Sequence, residues 1–411
     1  MPLCESQKQL NLGNSVSNLS KLLIANRGEI AIRITRAAQE LGLTAVAIYP
    51  EDDAQSLHVR LADEAVLLEG RGASAYLDIA QIVQLAKDAG CDGVHPGYGF
   101  LSENANFAAA VEAANMTFIG PSVAALDAFG DKAKARALAQ ACDVPVVAGL
   151  SEAISIEQAQ AFFAAHADSG ILLKAIAGGG GRGMRIVRSA DELVDAFTRC
   201  QSEALAAFGN DGLYAEQLVA SPRHIEVQII GDGSGAVSHI WERECSLQRR
   251  HQKLVEIAPS PTLDPAIRDA MCAAAVRLGQ EINYAGLGTI EFLLDTNANE
   301  FFFIEANARL QVEHTVTEEV TGIDLVRAQI EVAGGASLND LGLQQAGVPD
   351  PRGYAIQLRV NMETMTAEGD VMPAGGRLSK FEVPTGPGLR PDTNGTAAYP
   401  PSPKYAPRLH K

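Results

Sequence analysis

Between Phe303 and His314 apolar and polar residues alternate without a break: Phe303-Ile-Glu305-Ala-Asn307-Ala-Arg309-Leu-Gln311-Val312-Glu313-His314. A period of two places Glu305, Asn307, Arg309, Gln311 and Glu313 on one face of an extended chain. A solvated surface strand also alternates. Here the polar face mixes carboxylates, an amide and a guanidinium, with no Lys or Ser filler, and a further carboxylate arrives from the preceding strand, Gly288–Leu294. The link Asp295-Thr-Asn-Ala-Asn-Glu300 is turn chemistry. A hairpin symmetric about Ala298 sets Glu291 opposite Glu305, with an odd-numbered loop that left-handed Asn297 and Asn299 can accommodate. Two carboxylates within ~5 Å repel. A hard divalent cation, Mg²⁺ or Mn²⁺, held by oxygens of Glu291, Glu305 and Asn307, removes the conflict. A straight strand would carry Glu313 ~26 Å from Glu305. For these groups to share one site the chain must curl after about Asn307.

The elements that position them are read from periodicity. Leu22–Ala25 is a buried strand, Asn26-Arg27-Gly28-Glu29 turns it into a helix reaching about Leu41, Gly42 caps that helix, and Thr44–Tyr49 returns as a strand. One glycine at the turn excludes the Gly-x-Gly-x-x-Gly of a dinucleotide site. Alternation continues with strand Ala65–Leu68, helix Asp78–Ala89, strand Asp92–His95, helix Asn104–Ala114 and strand Thr117–Ile119, which predicts an open parallel sheet. Its loop His95-Pro-Gly-Tyr98-Gly-Phe-Leu-Ser-Glu-Asn104 follows a strand, where such sheets bind ligands, though it could be only a tight turn. After an amphipathic helix at Ser155–His166, the strand Ile171–Lys174, the run Gly178-Gly179-Gly180-Gly181-Arg182-Gly183-Met184 and the strand Arg185–Val187 form a glycine hairpin. Its backbone N–H groups can cradle phosphate, or it is simply a flexible tip. Beyond it lie a strand Gly212–Glu216, the alternating run Pro222–Gln228, and Cys245-Ser-Leu-Gln248-Arg-Arg-His251-Gln-Lys253, the most basic cluster in an acidic chain and either an anion site or a solvated loop. A helix over 266–283, a helix Ile323–Ala333 and a strand Ala355–Val360 carrying Arg359 complete the pattern.

Length and charge bound the rest. With 411 residues the chain should divide into two or three domains. A net charge of −17 argues against a nucleic-acid surface while allowing a local basic pocket. No run is long enough to span a membrane. Residues 1–20, polar and without Arg, read as a disordered tail rather than a signal or transit peptide. The six scattered cysteines, with no CxxC pair, read as reduced and mostly buried in a cytoplasmic protein.

Taken in order, Ile24-Ala-Asn-Arg-Gly-Glu-Ile30, the loop His95–Asn104, Gly178–Met184, Arg249-Arg-His-Gln-Lys253 and Gln311-Val-Glu-His314 resemble the biotin carboxylase component of biotin-dependent carboxylases, such as acetyl-CoA carboxylase of fatty acid biosynthesis. These are ATP-grasp enzymes. The resemblance runs from about Lys21 to the end. It implies an α/β fold with an N-terminal open parallel-sheet (Rossmann-like) domain at 21–140, a glycine-hairpin lid at 141–218, an ATP-grasp core at 219–345, and an incomplete C-terminal α+β domain at 346–411. It implies that ATP phosphorylates bicarbonate to carboxyphosphate, and that CO₂ then passes to biotin borne by a carrier protein or domain. By resemblance Lys174, the glycine run with Met184, Glu216, Gln217, Leu218, His224, Gln248, His251, Glu291 and Glu305 serve ATP. Glu291, Glu305 and Asn307 hold Mg²⁺ or Mn²⁺. Lys253, Arg309, Gln311, Val312 and Glu313 bind bicarbonate, with Glu313 as general base. Arg359 stabilises enolised biotin, and Tyr98 positions it. A carboxyltransferase subunit or domain is the implied partner, and a homodimer the implied assembly.

The chain departs from the family pattern in three respects. After Phe118-Ile-Gly-Pro121 the usual lysine is Ser122, Ala406 stands where Asp is usual, and the family normally continues for some tens of residues. A fragment, a truncated product or part of a longer protein is therefore expected; a natural mass of 43.4 kDa would count against the last. The alternatives are a catalytically impaired carboxylase-like subunit and an ATP-grasp ligase for another carboxylate.

Overall fold

A computed structural model describes residues 18–395 and 408–410, except 151, 177–182, 220, 250–251, 368–370, 375 and 377. The predicted contacts of Gly178, Gly179, Gly180, Gly181 and His251, and the segment around Ala406, lie outside the described residues.

The first sheet is parallel: β1 (Lys21–Ile24), β2 (Thr44–Pro50), β3 (Glu64–Leu68), β4 (Gly93–His95) and β5 (Thr117–Phe118), in the order β3-β2-β1-β4-β5. Helices α1 (Gly28–Glu40), α2 (Leu57–Leu61), α3 (Ile79–Asp88) and α4 (Ala105–Ala113) connect the strands. Leu22, Leu23 and Ile24 are fully buried, as a strand covered on both faces requires. Asp78 and Asn104 are N-caps, accepting from the backbone of Gln81 and Phe107, so both helices begin one residue later than the sequence pattern suggests. The strand order reverses between β1 and β4, and the two loops at that switch point are tied by Asn26, whose Nδ2 donates to the carbonyls of Pro96 (2.6 Å) and Tyr98 (2.9 Å). Gly97 has φ +65°, and a Cβ there would lie 2.9 Å from Asn26 Nδ2, so no side chain fits this approach.

After α5 (Val123–Gly130) and α6 (Lys132–Ala141) comes a small antiparallel sheet. It holds β6 (Gly149–Leu150), β7 (Ile171–Ala175), β8 (Met184–Val187) and β9 (Leu213–Gln217) in the order β6-β9-β7-β8, covered by α7 (Ile156–Ala165) and α8 (Ala190–Phe208). Ile171, Leu173, Val187, Phe197, Cys200 and Leu213 give it a hydrophobic core of its own.

The third sheet is antiparallel and carries most of the chemistry. Its strands are β10 (Pro222–Asp232), β11 (Val237–Arg249), β12 (Gln252–Ala258), β13 (Ala285–Asp295), β14 (Glu300–Asn307) and β15 (Ala355–Leu358), ordered β14-β13-β10-β11-β12-β15. Helices α9 (Pro265–Glu281), α10 (His314–Thr321) and α11 (Leu325–Ala333) accompany it. Gln248 pairs with Lys253, so the basic cluster is the tip of a hairpin rather than a free loop. Glu291 pairs with Glu305 as expected, but by another route: Asp295 pairs with Glu300 around an even-numbered turn, and a bulge next to Glu291 shifts the register by one. Of the two turn asparagines only Asn299 has positive φ, +57°.

The predicted strand Ala355–Val360 is interrupted at Arg359 and resumes as β16 (Val360–Asn361), followed by β17 (Glu363–Met365), β18 (Val371–Pro373) and β19 (Arg408–His410). The interruption lets Arg359 turn its guanidinium inward to Glu256 and Glu313. Outward, Tyr354, Ile356, Leu358 and Val360 form an alternating exposed apolar row on the sheet edge. An ionic clamp joins distant parts of the chain: Glu318 of α10 meets Arg33 of α1 at 3.0 Å and Arg390 at 2.7 Å, and Arg33 also meets Asp324 at 2.5 Å. Cys91, Cys200, Cys245 and Cys272 are buried free thiols, and Cys142 is half-buried and free.

Candidate active site

Register alone assembles the centre. Arg243 on β11 pairs with Glu226 on β10, Glu226 with Glu291 on β13, and Glu291 with Glu305 on β14. Directly opposed residues share a face of a sheet, so one cation and three carboxylates form a row across four strands. The ammonium of Lys253 reaches over it, 2.5 Å from Glu226, 2.8 Å from Glu291 and 2.9 Å from Glu313. Burial alone would lower the pKa of Lys253, but these three carboxylates outweigh it and hold the ammonium charged. Burial would raise the carboxyl of Glu313; Lys253, Arg359 and Arg243 reverse this and hold it far below the usual carboxylate range. Glu291 behaves alike, with burial overcome by Lys253 and His224.

The chain curls where the sequence demanded it. β14 ends at Asn307, the Arg309 N–H turns back to the Asn307 carbonyl (2.9 Å), and α10 starts at His314. The curl folds Gln311 and Glu313 back over the row. Gln311 Nε2 and Asn307 Nδ2 both donate to Glu291 Oε1, at 3.0 and 2.8 Å. Arg309 donates to Asn307 Oδ1 (2.6 Å) and, from the loop of the first sheet, to Glu103 (2.8 Å). Val312 is buried between Gln311 and Glu313. Arg359 Nη2 lies 3.1 Å from Glu313 Oε2.

Glu305 is different. Burial and the facing Glu291 raise its pKa, with Lys132 opposing. A divalent cation between Glu291 and Glu305 would relieve that repulsion, and hard oxygen donors on paired strands fit Mg²⁺ or Mn²⁺. Glu226, Cys245 and Glu313 also converge, but Lys253, Arg243 and Arg359 already neutralise those carboxylates, so this group fits an ion-pair network rather than a metal.

On the other side of Glu305 lie the candidate nucleotide residues. Lys174 pairs with Glu216, its ammonium 5.8 Å from the Tyr214 ring centroid, and Arg136 stands 3.8 Å from Glu216. Met184 pairs with Lys174 across β7–β8, and Gly183 (φ +68°) precedes it. The N–H groups of Gln217 and Leu218 donate to the carbonyls of Ala148 (2.8 Å) and Gly170 (3.0 Å), so the sheet already uses them. His224 joins the two halves: Nδ1 is 2.9 Å from Gln248 Nε2, and Nε2 is 2.6 Å from Glu291 Oε2. Burial opposes its protonation, but Glu291 raises the imidazole pKa.

Tyr98 lies in the loop after β4 that also carries Glu103, the partner of Arg309. The Tyr98 hydroxyl donates to Glu29 at the start of α1. Sequence reasoning missed Glu226, Arg243, Glu256 and Glu103, which pair with the expected residues, and also Lys132 and Arg136. Lys132 and Arg136 stand four residues apart on α6, hence on one face, and Lys132 is felt by Glu305, Lys174 and Glu216. The alternation of 222–228 held a signal for Glu226; nothing local marked Lys132. Ser122 does not act in a lysine's stead: its Oγ caps α5, accepting from Ala125 N at 3.2 Å.

Comparison with known proteins places this geometry. Residues 18–126 match the family description "Biotin carboxylase, N-terminal domain", and residues 131–341 match "Carbamoyl-phosphate synthase L chain, ATP binding domain". Mitochondrial pyruvate carboxylase of Rattus norvegicus is 50% identical over 378 residues, covering 91% of this chain and 32% of its own. Pyruvate carboxylase of Bacillus subtilis is 49% identical, covering 92% and 33%. The chain thus spans about a third of the length of these curated relatives. Among solved structures, the biotin carboxylase domain of a single-chain bacterial carboxylase superposes with a TM-score of 0.84 at 48% identity, covering 95% of this chain and 83% of that one. The biotin carboxylase domain dimer of Hydrogenobacter thermophilus 2-oxoglutarate carboxylase, solved with MgADP, ADP and bicarbonate, gives 0.90 at 41% identity, covering 95% and 85%.

Proposed function

The chain belongs to the biotin carboxylase family of ATP-grasp enzymes, and from that premise we propose that it carries out the ATP-dependent carboxylation of biotin, the first half-reaction of a biotin-dependent carboxylase. The observation that carries the reading is the closed ion group Lys253–Glu313–Arg359 set beside the facing pair Glu291–Glu305. Glu313, held ionised, takes the proton of bicarbonate. A bicarbonate oxygen attacks the γ-phosphorus of ATP, ADP leaves, and the carboxyphosphate formed breaks down to CO₂ and phosphate. Lys253, Arg309, Gln311 and the Val312 backbone bind the bicarbonate, the planar guanidinium of Arg309 matching a planar anion. The phosphate released in that breakdown takes the N1 proton of biotin, Arg359 stabilises the enolate so formed, and its N1 attacks CO₂. Lys174, Glu216, Gln217, Leu218, His224, Gln248 and His251 line the nucleotide site, with the glycine run 178–183 and Met184 as lid. Mg²⁺ or Mn²⁺ held by Glu291, Glu305 and Asn307 would neutralise phosphate charge during transfer.

The expected boundaries at 140, 218 and 345 are kept as proposed domain limits. A biotinyl carrier and a carboxyltransferase, on other chains or elsewhere in a longer one, are the proposed partners, and a homodimer the proposed assembly. Among the described residues no helix is long and apolar enough to cross a membrane, and a cytoplasmic site of action is proposed. The relatives lend no support to an acetyl-CoA carboxylase role in fatty acid synthesis; as pyruvate carboxylases they make pyruvate the first final acceptor to assay.

The test is ADP release by the purified chain with Mg²⁺ and bicarbonate, with and without free biotin. Biotin-stimulated release, lost in Glu313→Gln and cut about 10²–10³-fold in Arg359→Ala, is the expected result. Nucleotide binding with no biotin response in a folded chain would replace this reading with an impaired carboxylase-like subunit.

A further inference from the structure

Arg243 has no place in the assignments above, yet it is fully buried beneath them. Its Nε donates to Glu226 Oε1 (2.5 Å), Nη1 to Gln228 Oε1 (2.7 Å) and Thr317 Oγ1 (3.0 Å), and Nη2 to Thr289 Oγ1 and Gln311 Oε1 (both 3.2 Å). A guanidinium has five N–H groups, and here all five are used. The acceptors come from β10, β13, α10 and the curl after β14.

We propose that Arg243 is the positioning residue that fixes the bicarbonate pocket, acting through Gln311 and Glu226. A side-chain amide can be turned either way; the bond from Arg243 claims the Gln311 oxygen, so Nε2 must face Glu291 and the site. Glu226 is held by Arg243 on one oxygen and grips Lys253 with the other (2.5 Å). Thr317 lies on the helix that begins directly after Glu313, so the same guanidinium also braces the segment that carries the base. One planar fork therefore sets the direction of the amide, the ammonium and the carboxylate that the proposed function assigns to bicarbonate, and the inference rests on that assignment. Lysine is no substitute: it preserves the charge beside Glu226 but is a point donor on a shorter reach and cannot serve both amides.

The rival role is plain compensation of the buried Glu226 charge, and Arg243→Lys separates the two. Positioning requires the KM for bicarbonate to rise at least about tenfold with the KM for ATP within about twofold. It also requires the Arg243→Lys effect to be smaller in a Gln311→Ala background, because the two changes share that amide while the Glu226 route remains. A second readout needs no turnover: bicarbonate titrated against the MgADP-bound chain should raise the unfolding temperature of wild type and not of Arg243→Lys. Unchanged bicarbonate dependence, an equal rise in both KM values, or effects that multiply in the double variant would each overturn the inference. If Arg243→Lys does not fold, Thr289→Val loosens the Nη2 bond while keeping the arginine, and a several-fold rise in bicarbonate KM is expected; no rise overturns the role. A wild-type chain that cleaves no ATP in response to bicarbonate and gains no stability from it overturns the proposed function along with this inference. An active wild type with Arg243→Lys unaltered overturns the inference alone.

Discussion

Replacing Glu305 with Gln should stabilise the metal-free chain and weaken its response to MgADP. Glu305 faces Glu291 across β13–β14, and burial and Glu291 both raise its pKa. The sign is set by linkage. A carboxyl whose folded pKa lies above its unfolded value binds more protons when folded between the two, so its ionisation removes stability as pH rises through that window. At neutral pH the charge on Glu305 is therefore a net liability. Two unit charges ~5 Å apart at an effective dielectric near 20 repel by about 3 kcal/mol. Lys132, Lys253 and His224 offset part of this, which leaves about 1–2 kcal/mol to be gained by the neutral isostere. The assay is denaturant unfolding with EDTA and with excess Mg²⁺ and ADP. Wild type should gain stability on adding MgADP, by about 2.7 kcal/mol at a hundredfold excess over Kd. Glu305→Gln should start higher in EDTA and gain much less. A variant less stable than wild type in EDTA, or one equally responsive to MgADP, would refute the reasoning that repulsion at this pair is what a cation relieves.

Two further outcomes follow from the same ion groups. Lys132→Met should weaken ATP binding at least about tenfold without altering the KM for bicarbonate, and Ser122→Lys should recover part of the loss; equilibrium binding of ATP to both variants checks this. Lys253→Met leaves Glu226, Glu291 and Glu313 without their shared cation and should cost about 3–5 kcal/mol at neutral pH. Glu291 and Glu313 have depressed folded pKa values, so their contribution is present above the ordinary carboxylate range and lost as pH falls below it; the methionine variant should lose that slope in a pH series of unfolding curves.

The hairpin that faces Glu291 with Glu305 was legible because turn residues fix register locally, although a bulge rather than an odd loop delivers the pairing. The curl after Asn307 was legible because otherwise Glu313 could not join the site. Helix limits erred by one residue wherever Asp78, Asn104 or Ser155 serves as a cap, and the caps were themselves the signal. The basic cluster reads in the sequence as an anion site or a solvated loop, and its place at the tip of the β11–β12 hairpin was not legible because its basic residues hide the alternation. Arg243 and Glu256 were not legible, and Glu226 only as one polar member of an alternating strand: each matters through pairings between strands far apart in sequence, and no local pattern encodes which strand lies beside which. Lys132 illustrates the same limit, since it reaches the site from a helix packed on β14 rather than from a motif.

The clamp at Glu318 bears on how the chain is made. The strands of the first sheet are complete once residue 118 has been synthesised. The helix after Glu313, by contrast, gains its full set of partners only when Arg390 has emerged to join Arg33, which has waited some hundreds of residues for it. Contacts of such long sequence separation form late, after the loop between them has been closed. During vectorial synthesis the first and second sheets can therefore pack while the third is still unfinished, and a nascent chain released before Arg390 would be folded in outline but lack the bond that secures the helix after Glu313.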